Sequence, residues 1–561
     1  MKKRLIAAAA VCCLLLSSCT GETEPVMADT EETTTSLTTT TTTAATTTTE
    51  ATTTLPPEPV YSDDCVADIE YFAISEENRF MTSSMEYAID AENGVLSVNI
   101  DYDSYVDIYT LQNCIIEISV TDGEYEVEEA ALNEDGTVDL TKLTRIILTD
   151  SEGLHRKYEV VTDRTVYDIP IVNIYLEDMA GIYSIDRFQY SRMTFFVDAE
   201  AVDGFSSTEV ISGKIRGRGH STWEWEKKPY RIKLDKGTSV LGLDKNKDWI
   251  LLANYADKSL LRNIVAYRMG RTLDGLDWTP TQYPVDLFVN GKYRGVYAIG
   301  ESMELGKDRV NIEENSTDAD TGYLLEVGGV WFGYYEEYYF HTAYGMANYI
   351  VIQSPDEDVI TNEQRAYIED YLNAAERAII SGEGYEEYID VDSFCDWMLI
   401  HEISYNLDCC FRRSCYLNKD KGGKLKMGPI WDFDLAFGNY DIDNQNYNDW
   451  VTVGYGSTFY DAYVITTWYN YLMENESFRT RLRERWAEVR DGLLETAMSC
   501  IDYYSEKMYQ SQEENFRVWP IWGLKAGLQS DRNLQYESYD LQIQYLKDFI
   551  QMRVEWIDEN I

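Results

Sequence analysis

Alternating apolar and polar residues in short runs dominate the chain from about residue 61 to residue 300, and apolar positions at helical spacing dominate the remainder. Between Cys65 and about Thr165, runs such as Val95 to Ile100 and Cys114 to Val120 are separated by turn signals such as Glu134-Asp135-Gly136. Regular short strands of this kind predict a β-sandwich of Ig-like size over residues 61–168. Within Lys227 to Lys236, Tyr230, Ile232 and Leu234 fall on one face of a strand, and Arg231, Lys233 and Asp235 on the other. Pro284 to Ile299 alternates on both sides of Asn290-Gly291, which predicts a type I′ hairpin whose second strand ends at Gly300-Glu301. Leu261, Ile264, Val265 and Met269 recur at helical spacing, with Asp257 or Ser259 suited to the N-cap. Thr361-Asn362-Glu363-Gln364 is a capping box opening a helix that Gly382 closes. A β-rich half followed by a helical half predicts two lobes over residues 169–561.

The N-terminus adds an address. Met1-Lys2-Lys3-Arg4, the apolar run Leu5 to Leu16 and the residues Ser17-Ser18-Cys19 have the layout of an export signal over residues 1–19. With Cys at the junction the stretch resembles a bacterial lipoprotein signal, which implies lipidation of Cys19 and a protein held at the cell surface by a lipid anchor. Residues 20–60 are dominated by Thr and end in Leu55-Pro56-Pro57-Glu58-Pro59; a segment with so little to bury is expected to be a disordered stalk. Formal charge is −50. That balance argues against nucleic acid as a partner, since a duplex-binding surface needs clustered Lys and Arg, and it suits basic protein partners. Seven Cys remain after the signal with no CxxC spacing, so neither a zinc site nor a complete disulfide framework is indicated. A Cys65–Cys114 bridge is compatible with the first folded unit, and Cys409, Cys410 and Cys415 are expected to pack as small apolar residues.

Two stretches carry candidate chemistry. Asp432 and Asp434 stand inside the otherwise apolar and aromatic run Gly428 to Asn439. Asp is disfavoured in strands and is seldom buried without a partner, so either a divalent cation holds the two carboxylates together or they cap backbone N–H groups in a turn. Ile211 to Trp223 reads as a strand running into a turn rich in Gly and Arg, suited to an anion through its backbone N–H groups and cations, or else simply a hairpin connection. Lys233 on the following strand favours the phosphate alternative.

The order of these parts is that of a protein kinase, and the residues make the resemblance specific. Arg218-Gly219-His220-Ser221-Thr222-Trp223, Lys228 to Lys233, Asp248-Trp249, Asp257 to Asn263, Gly295-Val296-Tyr297 with Glu301, and Trp431-Asp432-Phe433-Asp434 together resemble the CotH family, spore coat protein H-like atypical secreted kinases. The similarity runs over roughly residues 170–561, including Asn515 to Pro520. It implies an α+β fold, a two-lobed kinase-like domain over 169–561 preceded by the β-sandwich, with ATP and Mg²⁺ (or Mn²⁺) as cofactors. Carried over by position, Arg216, Gly217, Arg218, Gly219, Ser221, Lys233 and Glu301 would bind ATP. Asp432 and Asp434 would hold the metal, and Asp408 would be the catalytic Asp facing an acceptor hydroxyl. Arg413 departs from the pattern, standing where a kinase has a metal-binding Asn. The implied activity is phosphoryl transfer to Ser or Thr of surface or extracellular proteins. The alternatives are a non-catalytic surface adhesin or scaffold that keeps the fold, and a surface protein that stacks its aromatic residues on polysaccharide.

Overall fold

The computed structural model describes residues 60–561 apart from 76–84, 101–110, 143, 165–168, 179–180, 197–209, 220, 314–316, 329–338, 345–348, 357, 412, 441–446 and 454–465. The signal, Cys19, the stalk and His220 lie outside the described residues. Helix and sheet are mixed in the α+β manner. Among the described residues no helix is long and apolar enough to cross a membrane.

The first strands are β1 (Ile69–Ile74), β2 (Met85–Asp90), β3 (Val95–Ile100), β4 (Ile116–Val120), β5 (Glu124–Val127), β6 (Thr144–Thr149) and β7 (His155–Arg164). β1 pairs with β4, and the others form a sheet in the order β2-β3-β7-β6-β5 with β3 and β7 parallel. Both sheets contribute to one apolar cluster containing Phe72, Leu96, Val98, Leu148 and Tyr158. Cys65 and Cys114 are buried there with no bridge between them; Cys65 Sγ donates to the Leu154 carbonyl and Cys114 Sγ to that of Leu111.

A closed barrel follows, built from β8 (Ile171–Leu176), β9 (Gln189–Phe196), β10 (Ile211–Gly217), β11 (Tyr230–Thr238), β12 (Asn246–Leu252), β13 (Gln282–Val289) and β14 (Lys292–Glu301). Its one parallel pairing, β8 with β13, joins strands far apart in sequence and closes the ring. The alternation expected for β11 holds: Tyr230, Ile232 and Leu234 are buried in the barrel, while Lys233 and Asp235 face out. Asn290 and Gly291 carry φ of 52° and 70°, the left-handed pair that a type I′ turn needs.

Between β12 and β13 lies α1 (Arg262–Gly270). Leu261 is its N-cap residue, yet the cap bond comes from further back, because Asp257 Oδ2 accepts the Arg262 amide at 2.8 Å. Beyond the barrel come β15 (Tyr323–Gly328), β16 (Tyr339–Phe340), β17 (Tyr349–Ser354), α2 (Asn362–Ser381), α3 (Val391–Ser404), β18 (Cys415–Lys419) and β19 (Leu425–Met427). The helices α4 (Trp468–Leu472), α5 (Glu476–Lys507), α6 (Tyr509–Val518) and α7 (Tyr539–Asn560) complete the chain. These strands form a sheet in the order β16-β17-β15-β18-β19. The capping box at Thr361 and Gln364 is formed and Gly382 closes α2 at φ 73°.

The tail residues are used to dock α6 on the barrel. Asn515 Oδ1 accepts from Lys227 Nζ at 2.8 Å and from the Val296 amide at 3.1 Å, and Trp519 Nε1 donates to the Arg294 carbonyl at 2.9 Å. The approach requires Gly295, at φ 96°, since a Cβ there would lie 2.5 Å from Asn515 Oδ1.

Candidate active site

The loop before α1 and the first turns of that helix hold the run that carries Asp432. Asn263 Oδ1 accepts the Phe433 amide at 2.8 Å, and the Tyr267 hydroxyl accepts the Asp432 amide at 3.3 Å. From the other side, Asn406 Nδ2 and Cys409 Sγ both donate to the Asp432 carbonyl, at 3.0 and 3.1 Å. Phe433 is fully buried against Tyr267 and His401, and Asn439 Nδ2 donates to the Asp434 carbonyl at 2.7 Å. Asp432 is thereby held at φ 65°, a region unfavourable for a residue with a Cβ and one found often at functional sites.

The side chains converge. Ligand atoms of Asp408, Cys409 and Asp432 all lie within 4.8 Å of one another. Burial pushes the Asp434 carboxyl well above the usual carboxylate range, and the neighbouring Asp432, Asp408 and Asp257 push it further. Among the described residues neither Asp432 nor Asp434 takes a backbone N–H on its carboxylate; Asp432 Oδ2 accepts from Ser414 Oγ at 3.2 Å. Like charges gathered in a half-buried place are unfavourable without a proton or cation between them. Carboxylate oxygens are the donors that a hard divalent cation prefers, so this residue set fits Mg²⁺ or Mn²⁺.

Cations face the cluster. Burial lowers the pKa of the half-buried Arg218 guanidinium, and the first charge opposing that effect is Asp432. Arg413 Nε lies 3.5 Å from Asp408 Oδ1; burial disfavours its charge, but Asp408, Tyr440, Cys409 and Asp432 together outweigh that effect and raise its pKa. Among the described residues of the Gly- and Arg-rich turn, Arg218 is the one whose charge is met by Asp432. Arg216 donates to the carbonyls of Ile185, in the connection between β8 and β9, and of Gly217. Gly217 donates its amide to the Ser184 carbonyl at 2.8 Å, Gly219 supplies a φ of 82°, and Ser221 begins a 3-10 turn ending at Glu224.

Lys233 is ion-paired with Asp248 at 3.7 Å on the outer face of the barrel. Arg231 is held more firmly by the same carboxylate at 2.8 Å and by Glu304 at 2.9 Å. Glu301, buried at the end of β14, pairs with Arg309 and accepts the Thr281 amide at 2.7 Å. Cys410 and Cys415 pack in the main apolar cluster as expected, whereas the buried Cys409 stands outside that cluster and donates to the Asp432 carbonyl. His401 is fully buried and stacked on Trp397 with ring centroids 3.8 Å apart.

Several residues escape a reading of the sequence alone: Asn406 and Ser414 on the Asp432 run and Glu326 behind them, while Asn263 stood in one of the CotH-like motifs without a role. Glu326 carried a signal, as the lone acid within the apolar strand Tyr323 to Val327.

An acidic cluster faced by guanidinium groups, on an α+β framework, has the make-up of a site for a divalent cation and an anionic ligand. Residues 215–557, more than half of the chain, match the family model described as CotH kinase protein, and the chain belongs to the CotH family. The match starts inside β10 and ends in α7, so it includes the whole cluster. No curated protein matches the chain.

Proposed function

We propose that the protein is an atypical kinase, exported and held at the cell surface by a lipid on Cys19, that moves the γ-phosphate of ATP to Ser or Thr of surface or extracellular proteins. The observation that carries this reading is the convergence of Asp408, Asp432 and Asp434 beside Arg218. Asp432 and Asp434 would hold Mg²⁺ or Mn²⁺, which neutralises phosphate charge when bound. Asp408 accepts the proton of the acceptor hydroxyl, and Arg218 faces the phosphates from the Gly-rich turn. Lys233 and Glu301 belong to the nucleotide side of the same reading, with kinase-like lobes and an Ig-like sandwich as its fold. Phosphoryl transfer asks mainly for positioning and charge stabilisation, which carboxylates, cations and a metal provide.

Arg413 favours a second reading, a surface protein that keeps the fold without catalysis, because it pairs with Asp408 where a kinase has a metal-binding Asn. Incubation with γ-labelled ATP, Mn²⁺ and casein separates the two: label transfer that Asp432→Ala abolishes supports the kinase, and an inert wild type supports the binder.

A further inference from the structure

Glu326 lies on β15, the central strand of the sheet that follows the barrel, between β17 and β18, with Leu325 and Val327 as chain neighbours. A carboxylate in such a strand is costly unless polar partners meet it. Its partners all lead one way. Glu326 Oε1 accepts the Ser414 amide at 3.3 Å, while Gln353 Nε2 donates to Oε2 at 2.7 Å from the neighbouring strand. Tyr416, directly opposite Glu326 across the β15–β18 pairing, adds a side-chain hydrogen bond. Ser414, whose amide is held in this way, donates its hydroxyl to Asp432 Oδ2 at 3.2 Å.

Ser414 sits at φ 50°, a left-handed conformation that a Ser adopts only when its surroundings impose it. The Glu326 carboxylate is the group on its amide, and Gln353 and Tyr416 fix the Glu326 rotamer in turn. Two residues with left-handed backbones, Ser414 and Asp432, are therefore joined by one hydroxyl and backed by one carboxylate.

We propose that Glu326 is a positioning residue for Asp432, acting through Ser414: by holding the Ser414 amide it aims the Ser414 hydroxyl at Asp432 Oδ2 and so sets the carboxylate that takes the divalent cation. This rests on the reading of Asp432 as a metal ligand. Burial pushes the Glu326 carboxyl up to about 7, against the hydrogen bonds from Ser414, Tyr416 and Gln353 that favour its charged form. Groups that hydrogen-bond a metal ligand are commonly worth about 10- to 100-fold in metal affinity. A residue needed for folding alone would leave that affinity unchanged in the folded protein.

The test is Mn²⁺ binding to the full chain, read from the electron paramagnetic resonance of free Mn²⁺, with circular dichroism confirming the fold. Ser414→Ala and Glu326→Ala are each expected to raise the Mn²⁺ Kd about 10- to 100-fold. The double variant should be no worse than the weaker single, because both substitutions cut the same chain of bonds. Glu326→Gln, whose amide oxygen still accepts from Ser414, should restore most of the affinity. If Glu326→Ala fails to fold, Ser414→Ala and Glu326→Gln decide the matter. Variants that bind Mn²⁺ as wild type does, or a double variant that sums the two singles, overturn the role of Glu326 and leave the metal site standing. A wild type that binds no Mn²⁺ overturns the metal reading of Asp432, and the role of Glu326 with it.

Discussion

Arg262 Nε donates to the carbonyl oxygen of Ala436 at 3.1 Å, so the first residue of α1 grips the turn that follows Asp432 and Asp434. The other end of the same guanidinium pairs with Asp257, which also caps the helix through the Arg262 amide. Both side chains are fully buried. Removing one charge therefore leaves the other desolvated and alone, which costs far more than the pair itself contributes.

Arg262→Met is accordingly expected to destabilise the protein by about 3–5 kcal/mol, measured by urea unfolding. Arg262→Met combined with Asp257→Asn should recover a good part of that loss. A double variant as unstable as the single would show that the bond to Ala436, rather than the stranded Asp257 charge, dominates.

Burial lowers the His401 pKa to about 3, while in the unfolded chain a His titrates near 6.5. Below about pH 6.5 the unfolded state binds a proton that the folded state refuses, so this group's stabilising contribution falls with decreasing pH until about pH 3. At pH 5 the loss comes to about 2 kcal/mol. His401→Phe keeps a ring on Trp397 and should remove this share of the pH dependence, seen as a smaller drop in unfolding free energy between pH 7 and pH 5 than in wild type. Equal drops in the two proteins would contradict it.

Two glycines should respond in opposite senses. Gly295→Ala places a methyl 2.5 Å from Asn515 Oδ1 at a backbone φ of 96°, and should cost about 1–3 kcal/mol by loosening α6 from β14. Gly492 lies within α5, and a Cβ there meets nothing within 4 Å. Gly492→Ala should stabilise by up to about 1 kcal/mol through helix propensity. Thermal unfolding of the two variants checks both signs.

What the sequence disclosed was local. Asn290-Gly291, the Thr361 capping box and the alternation of Tyr230, Ile232 and Leu234 are written in neighbouring residues and hold in the structure. The ring closure of β8 on β13 depends on strands separated by more than a hundred residues, and no local pattern announces it. Asp432 and Asp434 stood out because acids interrupt apolar surroundings, Asp408 only through its place in the CotH-like order of parts, and the structure does bring the three together. Asn263, although it ends the stretch Asp257 to Asn263 that supports the resemblance, and Asn406 carried no sign of their roles, since an Asn whose amide serves a distant backbone group looks like any polar residue of a helix or loop. Arg231 was visible on the same strand face as Lys233, but only the fold reveals that Asp248 and Glu304 hold it the more firmly.

The chemistry itself separates binding from transfer. Asp432→Ala should lose Mn²⁺-dependent nucleotide binding, whereas Asp408→Asn, which removes the proton acceptor, should keep it and lose transfer by about 100-fold or more. The most direct measurement is the incorporation of labelled phosphate from ATP into casein, or into the protein itself, by wild type and by Asp408→Asn in the presence of Mn²⁺. Incorporation by wild type that falls to background in Asp408→Asn, with nucleotide still bound, is the result expected of a kinase. Nucleotide bound equally by both with no phosphate moved by either would contradict it.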